Sequence, residues 1–255
     1  MKKGIFWRYT RVIAGGFLLF NLLWLLLAAH LKLNALPMPQ TVYAAWERAL
    51  ASGVGPHLLS SMGRALAGLG IALGIALLLG IPMGYFPKSD RWLGPLIYFS
   101  YPVPKLALLP VLMLLLGIGE APKITIIVLI IVFQLVLSIR DAVRAVPEED
   151  YALLTSLGAG FGQKLRHIIL PATLPAVFSS LRVSIGIAFS ALFFTETFGT
   201  DKGLGFYITD SQMRLDYPLM YFGILALSLG AFALFLLVDL ADRAFCSWRY
   251  KENGA

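Results

Sequence analysis

The sequence predicts an all-α, polytopic membrane protein with about six transmembrane helices. Of its 255 residues, 58% are hydrophobic and only 14% are charged. Soluble domains carry about a quarter charged residues. The apolar residues are also gathered into long runs, and a hydrocarbon core takes about 20 apolar residues per helix. The chain therefore has room for six spans with short connections and no sizeable soluble core.

The first run, Val12 to Leu31, contains FLLFNLLWLLLAA behind a basic start of Lys2, Lys3, Arg8 and Arg11. A signal peptide starts the same way. This run is longer than a signal core, and Lys32 follows with no small-residue cleavage site, so the run is predicted as a retained span. The second span is Leu58 to Phe86, rich in Gly and Ala. Gly63, Ala67, Gly70 and Gly74 fall at near-helical steps along it and predict a face for close helix packing. The third span, about Pro95 to Gly117, contains YPVPK, where Pro102 and Pro104 prevent a regular helix and predict a break beside Lys105, as a path wall or as a packing kink. The fourth is Ile124 to Val143, the fifth about Leu174 to Phe198, and the sixth about Met220 to Leu240. Between the first two spans, TVYAAWERAL is amphipathic and suits an interfacial helix.

Lys and Arg orient the spans, because basic residues concentrate on the cytoplasmic side. With the N-terminus inside, thirteen basic residues lie in cytoplasmic segments, five outside, and Arg64, Lys105 and Arg182 within spans. Both termini are therefore expected in the cytoplasm. The same asymmetry accounts for the net charge of +7 without a nucleic-acid partner. The single Cys246 excludes an intrachain disulfide and any multi-cysteine metal site, and His30, His57 and His167 share no ligand spacing. No converging nucleophile, base or ligand set marks an intramembrane enzyme. A stand-alone channel or secondary transporter is a second rival, but no clear internal repeat supports it.

The longest internal loop, Arg144 to about Thr173, reads RAVPEEDYALLTSLGAGFGQKLRHIILPAT. Pro147 followed by Glu148, Glu149 and Asp150 is a helix start, with acids against the positive end of the dipole. YALLTSL continues that helix, Gly158 stops it, and GQKLRHIIL predicts a second short helix. Pro171 and Pro175 mark re-entry into the membrane. The expectation is a helix–turn–helix knob with an apolar tip of Leu153, Leu154 and Leu157.

At these residues the chain resembles the permease subunits of binding-protein-dependent ABC importers. Their loop has the form E-A-A-x3-G-x9-I-x-L-P. Gly158, Ala159, Ile168, Leu170 and Pro171 match its second half without a gap. Ala152, Leu153 and Leu154 stand where E-A-A is usual, and the acids lie just upstream at Glu148, Glu149 and Asp150. ALFFTETFGTDKGLGFYITDSQ, with Glu196 before Gly203-Leu204-Gly205, and YPVPKLALLPVLMLLLGIGEAPKI are similar to the nitrate, sulfonate and taurine branch. The similarity in pattern runs from about His57 to Asp242.

The resemblance implies a type I importer permease fold, MetI-like, with the knob as a coupling helix for a cytoplasmic ATPase. It implies a homodimer of permeases, two ATPase subunits that hold ATP and magnesium, and a periplasmic or lipid-anchored binding protein. The chain itself would bind no cofactor, have no catalytic site and sit in a bacterial cytoplasmic membrane. The transported solute would be an anion such as a sulfonate, taurine or nitrate, with heterocyclic vitamin precursors as the alternative. Residues 1–57 would hold the tail, first span and external loop. Residues 58–243 would form the transport core with its coupling loop at 144–173, and 244–255 a cytoplasmic tail.

Four ionisable residues fall in or beside the spans: Arg64, Lys105, Arg182 and Glu196. Such groups face protein or water and mark transport paths. All four are candidates to line the path; snorkelling of Arg64 or Lys105, or pairing of Glu196 with one of the cations, is the structural alternative.

Overall fold

The computed structural model describes residues 2–252, with side chains for residue 11 and residues 15–249; of the predicted C-terminal tail, Asn253, Gly254 and Ala255 lie outside the described residues, as does Met1. Every regular element among them is helical. In chain order these are α1 (Lys2–Leu31), α2 (Pro39–Ala44), α3 (Trp46–Ala51), α4 (Val54–Tyr85) and α5 (Pro87–Ser100). A 3-10 turn (Lys105–Leu108) leads to α6 (Leu109–Leu116) and α7 (Glu120–Arg144). Then come α8 (Glu148–Ser156), α9 (Phe161–Lys164), a π turn (Leu165–Ile169) and α10 (Leu170–Thr195). The chain ends in α11 (Leu204–Met213), α12 (Tyr217–Phe245) and α13 (Ser247–Glu252).

Four helical stretches are long and apolar enough to cross a bilayer: α4, α7, Phe161–Thr195 and α12. The bent pair α5–α6 makes a fifth if counted as one span, and Gly15–Leu31 of α1 is a shorter apolar stretch. The core is built from α4, α7 and α10. Gly68, Ala72, Ala76, Gly80 and Gly84 follow one another at four-residue steps on α4. Opposite them Ile127, Ile131, Leu135, Ile139 and Val143, also at four-residue steps, are buried on α7. A Cβ on Gly80 would lie 2.9 Å from both the Ile139 Cβ and the Val136 carbonyl oxygen. The small residues therefore let the two helices touch along most of their length.

Within the chain, the close helix contact falls on the face of α4 beside the one marked by Gly63, Ala67, Gly70 and Gly74. Gly63, Gly70 and Gly74 have nothing within 4 Å of a built Cβ and face away from the core. Two small-residue faces run side by side on this helix, and periodicity alone does not say which meets a neighbour. The third span starts earlier than expected, with α5 at Pro87, and it is broken where its two prolines predict: the chain breaks at residues 101–104, and the two pieces are bent by 82°. Pro102 and Pro104 lack the N–H a helix needs and clash with the preceding turn.

The second short helix of the loop is not separate either. Phe161–Thr195 is one continuous helical run. The Leu170 amide bonds to the Leu165 carbonyl, five residues back, just before Pro171. The widened π turn takes up the missing donor and the ring of Pro171, so the helix passes through. Finally, TVYAAWERAL forms two helices, α2 and α3, whose buried Val42 and Ala49 pack on protein. Trp24 of α1 stacks on Tyr221 of α12 and so holds α1 at the edge.

The α4–α7 contact gives a direct test. Gly80→Ala should lower the thermal midpoint of the detergent-solubilised protein by an amount equivalent to about 1–3 kcal/mol, as overpacking does. Gly70→Ala, on the outward face, should leave it unchanged or raise it slightly through better helix propensity.

Candidate functional site

The segment after α7 projects from one end of the core. Pro147 precedes α8, and Glu148, Glu149 and Asp150 occupy its first turn. None of the residues of α8 is fully buried; Leu153 is 63% and Leu157 74% exposed. Leu154 turns partly inward, while Ala152 is exposed. The end of α8 is a Schellman cap. The Gly158 amide bonds to the Thr155 carbonyl at 3.0 Å and the Ala159 amide to the Leu154 carbonyl at 2.9 Å. This needs a left-handed residue, and Gly158 has φ +79°. The Gln163 side chain then reaches back to the Gly160 amide at 2.9 Å and starts α9.

Four rings tie this projection to the end of α4. Tyr85 lies edge-on to Tyr151 with centroids 5.5 Å apart and meets Phe161 at 5.1 Å. Phe86 contacts both Tyr85 and Phe161. The Tyr151 hydroxyl donates to the Val143 carbonyl of α7, and burial pushes its ionisation upward, keeping it a donor. Behind α8 a cleft of about 400 Å³ is lined by Val146, Pro147, Asp150, His167, Pro171 and Trp248. Ile168 is half-buried and Leu170 is 38% exposed beside it. The sequence-predicted residues 150–171 thus stand together on one exposed projection.

At the opposite end of the core, charges close on one another. The Arg64 guanidinium, 2% exposed, bonds to Glu196 at 2.6 Å and to both carboxylate oxygens of Glu120. It also donates to the Lys202 carbonyl at 2.9 Å. Glu196 is fully buried and accepts from the Ser61 hydroxyl and from the Gly205 amide at 2.9 Å. Three successive amides at the start of α11 are satisfied from outside the helix: Gly203 by His57 Nδ1, Leu204 by Ser61 and Gly205 by Glu196. The Lys123 ammonium binds the Gly119 and Gly199 carbonyls. A Cβ at Gly203 would strike the Glu196 carboxylate, and φ there is +113°.

Arg182 is engaged by two acids, Asp239 and Asp242 of α12, each at 2.5 Å. Cys246 lies fully buried beyond them, and burial together with its hydrogen bond to Asp242 pushes the thiol up to about 11. Lys105 is placed differently. Its ammonium donates to the Tyr101 carbonyl at 2.5 Å and sits 5.2 Å from the Phe133 ring centre. Among the described residues no group of three or more His, Cys, Asp or Glu is placed to hold a metal ion.

Sequence reasoning missed Glu120, Lys123, Ser61 and His57, because their partners come from loops and helix ends far apart in the chain. It also missed Asp239 and Asp242, although two acids three residues apart near the end of an apolar run were a visible signal. The four rings of the α8 anchor carry no spacing that marks them.

Residues 68–246 match the family described as "Binding-protein-dependent transport system inner membrane component". The chain is 33% identical over 192 residues to the taurine transport system permease protein TauC of Escherichia coli K12, covering 75% of this chain and 70% of that protein. It is 28% identical over 222 residues to the putative aliphatic sulfonates transport permease protein SsuC of Bacillus subtilis 168, covering 87% and 80%. Its fold matches the inward-facing MetNI methionine ABC transporter with a TM-score of 0.58 at 17% identity, covering 78% of this chain and 97% of that chain.

The charge network predicts a graded response. Glu196→Ala leaves Arg64 short of its buried partner and the Gly205 amide without its acceptor, and should cost about 3–5 kcal/mol, the usual result of breaking a buried pair from one side. Glu196→Gln, which still accepts from the Gly205 amide, should cost less. Thermal unfolding of the purified protein reads both; equal, negligible losses would show that the network adds no stability.

Proposed function

Because the chain belongs to the family of binding-protein-dependent transport system inner membrane components, we propose that two copies of it form the membrane path of an ATP-driven importer for small organosulfonates such as taurine. The chain is the permease subunit of an ABC importer and carries no catalytic site of its own. The sulfonate assignment rests on its similarity to the taurine and aliphatic sulfonate permeases.

In this reading two cytoplasmic ATPase subunits bind ATP and magnesium and dock on α8. An external binding protein delivers the solute to the opposite face. The excess of Lys and Arg supports a cytoplasmic position for both termini and α8, and the likeness to bacterial permeases supports a bacterial cytoplasmic membrane. Residues 58–243 serve as the transport core, 144–173 as its coupling loop, 1–57 as a peripheral N-terminal unit and 244–255 as a tail. Asp150, Ala152, Leu153, Leu154, Leu157, Gly158, Ala159, Ile168, Leu170 and Pro171 form or brace the surface that meets the ATPase.

The observation that carries this reading is the exposed apolar tip of α8, Leu153 and Leu157, held on a capped turn and an aromatic anchor. Exposed leucines at the end of a short polar-started helix suit a groove on a partner. ATP binding brings the two ATPases together and draws the two α8 helices with them. The anchor on Tyr85 and Phe86 passes that displacement to α4, and the two-state membrane domain changes the side on which its path is open.

The turn at Gly158 is the sharpest test. A built Cβ there meets nothing within 4 Å, so a substitution acts through the backbone alone. Left-handed geometry costs an L residue about 1–2 kcal/mol, and a β-branched one more. Gly158→Val should lower ATP-driven uptake roughly tenfold and weaken co-purification of the ATPase while membrane levels stay near normal; Gly158→Ala should fall between. Unchanged uptake and co-purification in Gly158→Val would refute the coupling role.

A further inference from the structure

The break between α5 and α6 opens a cleft of about 390 Å³ whose lining includes Tyr101, Val103, Lys105, Phe133, Gln134 and Ile187. Its depth is informative. Phe133 and Gln134 lie in the middle of α7, roughly 15–20 Å from either helix end at 1.5 Å per residue. Ile187, on α10, lines the same cleft. Lys105 therefore does not reach an aqueous surface by snorkelling; its ammonium is turned in toward the Phe133 ring.

The other candidate charges are neutralised by carboxylates: Arg64 by Glu120 and Glu196, Arg182 by Asp239 and Asp242. Among the described residues no carboxylate pairs with Lys105; its one hydrogen bond is to a backbone carbonyl, which leaves further donor capacity on the ammonium. An ammonium facing hydrocarbon at mid-depth is costly. Broken backbone at that depth is tolerated only against protein or a water-filled cavity. A cleft with one uncompensated cation, one side-chain amide and apolar walls has the composition of a site for a small organic anion.

We propose that this cleft is the anion-selecting station of the transport path, with Lys105 holding the sulfonate group, Gln134 adding a donor, and Phe133 and Ile187 receiving the alkyl body. The proposal rests on the importer reading and adds the site at which the anion is chosen. Arg64, Glu196 and Arg182 then serve as helix clamps, and Lys105 alone of the four contacts the solute. The station does not bind as tightly as the external binding protein must, because its cation already donates to the Tyr101 carbonyl and is shared with two rings.

The test uses the complete transporter, permease with its ATPase, in membrane vesicles. Val103→Cys puts a thiol on the cleft wall in a Cys246→Ser background, and the vesicles receive either 2-sulfonatoethyl or 2-trimethylammonioethyl methanethiosulfonate. The anionic reagent should label the introduced thiol about tenfold faster than the cationic one, since a low-dielectric cleft of one sign concentrates counter-ions. Adding Lys105→Gln should abolish that preference, and Lys105→Arg should keep it. Absence of labelling by either reagent, equal labelling by both, or a preference that survives Lys105→Gln would each overturn the proposal. ATPase co-purification, read on the same vesicles, reports separately on the importer reading.

Discussion

The close seam between α4 and α7 is the constraint on which the rest of the molecule depends. Five small residues on one helix face five branched residues on the other, from Gly68 against Ile127 to Gly84 against Val143. Backbones in contact over that distance have no soft layer between them, so α4 and α7 behave as one rigid rod. With α10 packed on both, the rod carries the two functional ends of the chain. At one end Arg64 of α4 binds Glu120 at the start of α7 and Glu196 at the end of α10, and Glu196 in turn holds the start of α11. At the other end Tyr85, Phe86 and Val143 hold α8 through Tyr151 and Phe161.

This layout holds α8 rigidly on the core. A helix of nine residues is marginal by itself in water. Here acids at its start, a Schellman cap at its end and an aromatic anchor on its inner side fix it. Only its outer leucines are left over. A displacement applied to them meets rigid contacts all the way to the charge network, roughly 30 Å away by the rise of α4 from Arg64 to Tyr85. The break after α5 is the contrasting element. It interrupts the span between α4 and α7 in the chain, and places Lys105 against the middle of α7.

Much of this is legible in the sequence. Run lengths point to the spans, and the G-x9-I-x-L-P pattern points to the projecting loop around Gly158 and to the family. What the sequence hides, it hides for identifiable reasons. Gly63, Ala67, Gly70 and Gly74 present as regular a stripe as Gly68 to Gly84, and only the branched partners on α7 distinguish the two. Pro171 reads as the point of re-entry after a separate short helix, but it sits at the first turn of α10 behind a π turn, where its missing N–H does not interrupt the helix. The partner of Glu196 stays open in the sequence because three cations compete for it. Distance settles it on Arg64, with Glu120 completing the pair from the start of α7, just ahead of the apolar run that marks the fourth span.

The central claim is that the rigid projection ending in Leu153 and Leu157 meets a motor subunit in the cytosol. It is tested most directly by placing a thiol at Leu153 in the Cys246→Ser background and offering a membrane-impermeant maleimide. The account predicts no labelling in intact cells, rapid labelling in inside-out vesicles stripped of ATPase, and protection when the ATPase is restored. Labelling from the outside of intact cells would contradict it.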